Sequence, residues 1–170
     1  IAIFSSDPSR SISRSNRVKG ATDTIAQAGK TSRLFVVDRA ALQDIPGDNT
    51  NYKTGVFLGR GIDLRSESYS AIIAVNDMVA MGAMDALTNR GVRFPEDMSI
   101  IGFDNLLYTG LSTVDYHTDM LAQAAVALLY RRLHPQEAEA LLSATRFKVE
   151  CPPNLVLRSS TAAHGTPSSL

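Results

Sequence analysis

The stretch from Ala71 to Phe103 constrains the fold of this 170-residue chain more than any other part. Ala71-Ile72-Ile73-Ala74-Val75 is a continuous apolar run, as expected of a strand covered on both faces in a parallel sheet. Asn76 and Asp77 interrupt it. Met78 to Asn89 then shows helical spacing and ends at Arg90-Gly91, a cation in the last turn followed by a C′ glycine. Pro95 breaks the chain, and Met98 to Phe103 reads as a second buried strand, ending in Asp104-Asn105. Strand, helix and strand within about 35 residues make a βαβ unit, whose crossover is right-handed.

The flanks extend the same grammar. Ile1 to Phe4 reads as a short buried strand. Ser5 to Ser13 reads as a polar loop, and Ser13 or Ser15 as the cap of a helix running to Ala28 and closed by Gly29. Leu34 to Val37 is a further strand, followed by turn chemistry from Asp44 to Asn51. A weak helix is expected at Tyr52 to Gly59, weakened by Gly55 and Gly59. Thr118 to Leu133 is a long amphipathic helix built on Leu121, Ala125, Leu128 and Leu129. Phe147 to Val149 and Leu155 to Leu157 read as edge strands separated by Pro152 and Pro153. The fold class is therefore α/β, a doubly wound parallel sheet.

Composition narrows the function. Lys+Arg and Asp+Glu both number 17, a zero net charge that argues against a stand-alone nucleic-acid binder. Arg10, Arg14, Arg17 and Lys19 cluster, which a solvated helix start explains. A single cysteine, Cys151, rules out an internal disulfide framework and suits a reducing compartment. No apolar stretch reaches membrane-spanning length, and the first residues lack the positive segment and cleavage site of a signal peptide.

Enzymatic motifs are missing. There is no G-x-S-x-G nucleophile elbow, no G-x-x-x-x-G-K-[ST] phosphate loop, and GVFLGRGID lacks the third glycine of a dinucleotide fingerprint. His117, His134 and His164 are scattered, so neither a metal site nor a cofactor is expected. Met78, Met81 and Met84 read as core packing. What stands out is that three strands end in hydrogen-bonding side chains: Ser5-Ser6-Asp7, Asn76-Asp77 and Asp104-Asn105. Ligands of open parallel sheets bind outside the carboxyl ends of the strands. Asn76 can simply cap the following helix, with Asp77 favouring its positive end. Asp104, ending the next strand on the same rim, has no such explanation in the periodicity.

The segment SAIIAVNDMVAMGAMDALTNRGVRFPEDMSIIGFDN, Ser70 to Asn105, resembles the lactose-repressor/galactose-repressor (LacI/GalR) family of transcription regulators. Asn76, Asp77, Ala80, Gly82, Leu87, Gly91, Pro95, Asp97, Ser99, Gly102, Phe103 and Asp104 fit that family's block in order. Arg17-Val-Lys-Gly20 resembles its R-x-x-G helix start, Leu111-Ser-Thr-Val114 its L-T-T-v segment, and Asn154 to Ser160 its closing L-v-x-R-x-S. The resemblance implies a periplasmic-binding-protein-like fold and an effector-sensing, non-enzymatic, cytoplasmic role.

In that frame residues 1–114 are the C-terminal effector-binding subdomain, entered without its opening strand-helix unit. Residues 115–150 return to the first subdomain, 151–160 close the domain, and 161–170 form a disordered tail. The resemblance carries ligand contact onto Arg17, Asn76 and Asp104, with Ser13 and Tyr116 at positions that sometimes touch ligand. Arg17 donates in a fork, Asp104 accepts and Asn76 does both, which suits the vicinal hydroxyls of a sugar first and a nucleoside or purine second. The implied partners are a second copy of the chain and operator DNA, the latter through a helix-turn-helix domain absent from this chain. With the first subdomain absent too, the apolar face of the 118–133 helix is expected to find cover in self-association or on a partner chain. The alternative function is a periplasmic-type sugar-binding receptor.

Overall fold

A computed structural model describes residues 1–47, 49–65, 68–106, 110–134 and 148–163. The chain divides into two compact units, one formed by Ile1–Val114 with the segment from Leu155, the other by Asp115–Asn154. In chain order the elements are β1 (Ala2–Ser6), α1 (Ile12–Gln27), β2 (Arg33–Val37), α2 (Thr50–Gly61), β3 (Ala71–Ala74), α3 (Asp77–Thr88), β4 (Ser99–Phe103), β5 (Ser112–Asp115), α4 (Thr118–Leu133) and β6 (Asn154–Val156). Single 3-10 turns at Pro8–Arg10 and Arg39–Leu42 follow β1 and β2.

The sheet runs β2-β1-β3-β4-β5-β6, and every pairing from β2 through β5 is parallel. Strand order reverses between β1 and β3, which makes the carboxyl ends of those two strands the topological switch point. Ile3, Phe4, Ile72, Ala74 and Ile100 sit at the centre of the core, each 2% exposed or less. The apolar run at 71–75 forms β3 for the reason anticipated: a central parallel strand is covered on both sides.

The glycines of α2 act against the sequence expectation. Instead of weakening a marginal helix, they let α2 and α3 touch backbone to backbone. A Cβ added at Gly55 would lie 2.0 Å from the Val79 carbonyl oxygen, and one at Gly82 would lie 2.1 Å from that of Tyr52. The helix is therefore longer than expected, Thr50–Gly61, with Asn49 as its cap accepting from the Asn51 and Tyr52 amides. Arg90 also differs in role. It lies just past α3 and donates from Nη1 to the Gly59 and Ile62 carbonyls, so it satisfies the end of α2 rather than its own helix.

Other boundaries shift by local chemistry. Ser11, not Ser13 or Ser15, caps α1, accepting from the Arg14 amide at 3.4 Å. Gly29 takes φ +66° just beyond α1, the left-handed conformation a helix stop uses. β5 was not recognisable as a strand because its buried residues, Ser112 and Thr113, are polar. Ser112 Oγ donates to the Arg158 carbonyl, and its amide donates to Ser160 Oγ, which itself donates to the Ile100 carbonyl at 2.7 Å. These bonds tie the closing segment to the sheet. Of the two expected edge strands, 155–157 becomes β6, whereas Lys148 and Val149 are irregular and Phe147 lies outside the described residues. Residues 164–170 of the expected tail also lie outside them.

The second unit is described through α4. Its fully helical span matches the amphipathic pattern, yet none of its residues is buried. Val126, Leu129 and Leu133 are 67%, 58% and 66% exposed.

Candidate ligand site at the switch point

The site starts from where strands end. Arg17 lies in the second turn of α1, the helix that follows β1. Its Nη1 donates to the Val75 carbonyl at 2.8 Å, just past β3, and to Asp104 Oδ1 at 3.1 Å, just past β4. The guanidinium carbon stands 3.7 Å from the centroid of the Phe103 ring, so the cation is clamped by a π face and two acceptors. Both members of the Arg17–Asp104 pair keep 24% of their side chains exposed.

Asn76 has extended backbone (φ −158°) and caps α3, its Oδ1 accepting from the Val79 amide at 2.9 Å. The oxygen is thereby committed to the helix. The Nδ2 group has no partner among the described residues and is what Asn76 can offer a ligand.

Asp104 is held by an unusual backbone. Its φ is +122° and that of Asn105 is +52°, conformations that cost roughly 1–3 kcal/mol in a non-glycine residue. Neighbouring bonds impose them. The Asp104 amide donates to the Val114 carbonyl at 3.0 Å, the Asn105 amide to Thr113 Oγ1 at 3.2 Å, and Arg158 Nη2 to Asn105 Oδ1 at 2.7 Å.

Beneath this turn is a group that the sequence places at the positive end of the α3 dipole. Asp77 is fully buried; its Oδ1 accepts from Thr113 Oγ1 at 2.6 Å and its Oδ2 from the Leu106 amide at 2.7 Å. Gly102 makes room for it: a Cβ there would lie 2.1 Å from Asp77 Oδ1. The signal was present in the spacing, because a carboxylate that opens a buried helix opposite a strand glycine has nowhere to go but inward.

Burial pushes the Asp104 carboxyl above its ordinary range. The Arg17 charge opposes this, the Asp77 carboxylate adds to it, and the Arg17 hydrogen bond pulls it down again.

Three of the five expected contact residues, Arg17, Asn76 and Asp104, thus gather at the carboxyl ends of β3 and β4. Ser13 is exposed on the first turn of α1 and no hydrogen bond joins it to them. Tyr116 is half-buried in the other unit. Among the described residues no group of His, Cys, Asp and Glu could hold a metal ion, and no helix is long and apolar enough to cross a membrane.

A parallel sheet of order 2-1-3-4-5 with polar strand ends at its switch point defines the class of small-molecule-binding α/β domains. Residues 3–161 match the Periplasmic binding protein-like domain, and the chain belongs to that family. It is 36% identical over 96 residues to the HTH-type transcriptional repressor PurR of Pasteurella multocida, an alignment covering 54% of this chain and 27% of that protein. In structure it is similar to a LacI-type transcription regulator from Bifidobacterium animalis subsp. lactis, with a TM-score of 0.72 and 28% identity over 95% of this chain and 58% of that one. A LacI family transcriptional regulator from Arthrobacter sp. FB24, solved in complex with lactose, gives a TM-score of 0.62 at 27% identity, covering 95% of this chain and 57% of that one. The chain therefore spans about a quarter of the curated relatives it matches and just over half of the solved chains.

Proposed function

We propose that this chain is the effector-sensing part of a LacI/GalR-type transcriptional regulator, and that a polyhydroxylated small molecule binds at Arg17, Asn76 and Asp104. The observation that carries this reading is the Arg17–Asp104 pair, a donor fork and an acceptor held side by side at the switch point. Vicinal hydroxyls can donate to one and accept from the other, and Asn76 Nδ2 adds a donor. The lactose in the Arthrobacter relative supports a sugar ahead of a nucleoside or purine. Relatives that are regulators favour this over a transport receptor.

In the whole regulator, ligand would change the geometry of the effector domain and with it operator affinity, through a helix-turn-helix domain outside this chain. A coupling of about 1–3 kcal/mol suffices to alter that affinity about 5- to 150-fold. Such a protein works in the cytoplasm as a pair of copies, and the exposed apolar residues of α4 support self-association. Its chemistry is binding, with neither catalysis nor a cofactor.

The test is a thermal-shift and calorimetric screen of the protein against lactose, ribose, galactose, adenosine and guanine. One of these is expected to bind, with the response lost in Asp104→Ala and Arg17→Ala. Unchanged binding in both variants would remove the site assignment.

A further inference from the structure

Arg158 lies in the closing segment just past β6, 53 positions beyond Asn105. It is half-buried, and its guanidinium forks between two neutral oxygens. Nη1 donates to the Leu111 carbonyl and Nη2 to Asn105 Oδ1, both at 2.7 Å. Asn105 follows the end of β4 and Leu111 is the last residue before β5. One cation therefore staples both ends of the connection that carries Asp104.

The closing segment has other moorings. The Arg158 amide donates to Ser112 Oγ at 2.8 Å, the Ser160 amide to the Gly110 carbonyl at 2.8 Å, and Ser160 Oγ to the Ile100 carbonyl at 2.7 Å. The Nη2 bond is not needed for that anchoring. It ends instead on a residue at φ +52°, next to Asp104 at φ +122°. The bonds from the Asp104 amide to the Val114 carbonyl and from the Asn105 amide to Thr113 Oγ1 hold only the backbone of this turn. Arg158 holds the Asn105 side chain. A left-handed residue pinned at both its amide and its side chain cannot relax toward extended backbone without breaking one of the two. Relaxation of the turn would carry the Asp104 carboxylate away from Arg17 Nη1, now 3.1 Å from it.

We infer that Arg158 is a positioning residue of the effector site: acting through Asn105, it fixes the Asp104 carboxylate where a ligand and Arg17 can reach it. This role rests on the effector reading for its ligand, whereas the lock on the turn is a property of the chain without one. The closing segment and the effector are then linked. A bound effector strengthens the hold on that segment to the same degree that the segment strengthens the hold on the effector.

Amide hydrogen exchange of the full chain, read by NMR, tests the lock without a ligand. Arg158→Lys keeps the charge, but a compact ammonium cannot span both acceptors. Its Asp104 and Asn105 amides should exchange about tenfold faster, as loss of a charge-assisted hydrogen bond implies, while the Val79 amide at the start of α3 keeps its wild-type rate. Asn105→Ala removes the same bond from the other side and leaves the Leu111 contact, so it should give the same result even if Arg158→Lys folds poorly. Asn105→Gly adopts the turn without a side-chain lock, and in that background Arg158→Lys should change the turn no further. Calorimetry with lactose and ribose then reads the site. Whichever sugar binds the wild type should bind Arg158→Lys about tenfold more weakly and Asp104→Ala not at all. If neither binds the wild type, the effector reading loses its support and amide exchange still decides the lock. Three results overturn the role of Arg158: wild-type exchange at the turn in Arg158→Lys, an acceleration shared equally by Val79, or wild-type sugar affinity where Asp104→Ala has lost it.

Discussion

Arg17 Nη1 stands 3.1 Å from Asp104 Oδ1, although the two residues are 87 positions apart and follow different strands of the sheet. The pair closes across the switch point, and the same Arg17 Nη1 also donates to the Val75 carbonyl. The proposed effector would meet this pair, and the pair's energetics follow from how each partner is held.

The Asp104 carboxyl titrates above its ordinary value, chiefly because it is buried. The folded state then binds a proton more tightly than the unfolded one. This contribution favours folding below the ordinary aspartate pKa and is lost as pH rises through the raised value. In Asp104→Asn that loss should vanish. Thermal melts between pH 3 and 6 should therefore show the wild type losing ground to the variant as pH rises; parallel curves would contradict it.

Asp97 has the opposite sign. Three hydrogen bonds from Arg93, two from its guanidinium and one from its amide, hold the carboxyl down at about 2. Its contribution is present above the ordinary aspartate pKa and is lost as pH falls through about 2. Asp97→Asn should flatten the acid limb of the stability curve and leave the neutral limb parallel to wild type.

Asp77 supports the turn that carries Asp104. Asp77→Ala strips an acceptor from the Thr113 hydroxyl and the Leu106 amide, both buried or half-buried, at a cost of about 2–4 kcal/mol. Effector affinity should fall as well, since the left-handed turn at Asp104 and Asn105 loses its support. Chemical denaturation together with ligand calorimetry reads both effects. A destabilised variant with wild-type affinity would restrict Asp77 to folding.

Two glycine-to-alanine changes should differ in sign. Gly55→Ala drives a Cβ to 2.0 Å from the Val79 carbonyl oxygen and should cost about 1–3 kcal/mol or more through separation of α2 and α3. Gly20→Ala, inside α1 with nothing within 4 Å, should stabilise by about 0.8 kcal/mol. Urea midpoints compare them directly.

Self-association through α4 should appear as a concentration-dependent sedimentation coefficient. Replacing Val126 and Leu129 with Asp should leave a monomer at all concentrations, because both side chains are well over half exposed in the single chain. A wild-type chain that sediments as a monomer throughout would refute it.

The sequence by itself determined the βαβ unit, the parallel sheet and the family. These depend on apolar periodicity and residue order, which are local and need no knowledge of neighbours. Asn76 and Asp104 were legible as polar strand ends that periodicity marks, whereas Arg17, in the second turn of α1, came from the family resemblance. The tertiary structure alone decided what depends on contact. Gly55 read as a helix weakness until two backbones met over it. Ser112 and Thr113 concealed β5 because their hydroxyls are satisfied by distant partners, Arg158 and Asp77. Arg10, Arg14 and Arg17, one basic cluster in the sequence, part company in the fold, two to a pocket beside β2 and one to Asp104. Charge and spacing are written along the chain, but a polar group's partner is chosen by the sheet that brings remote strands to one rim.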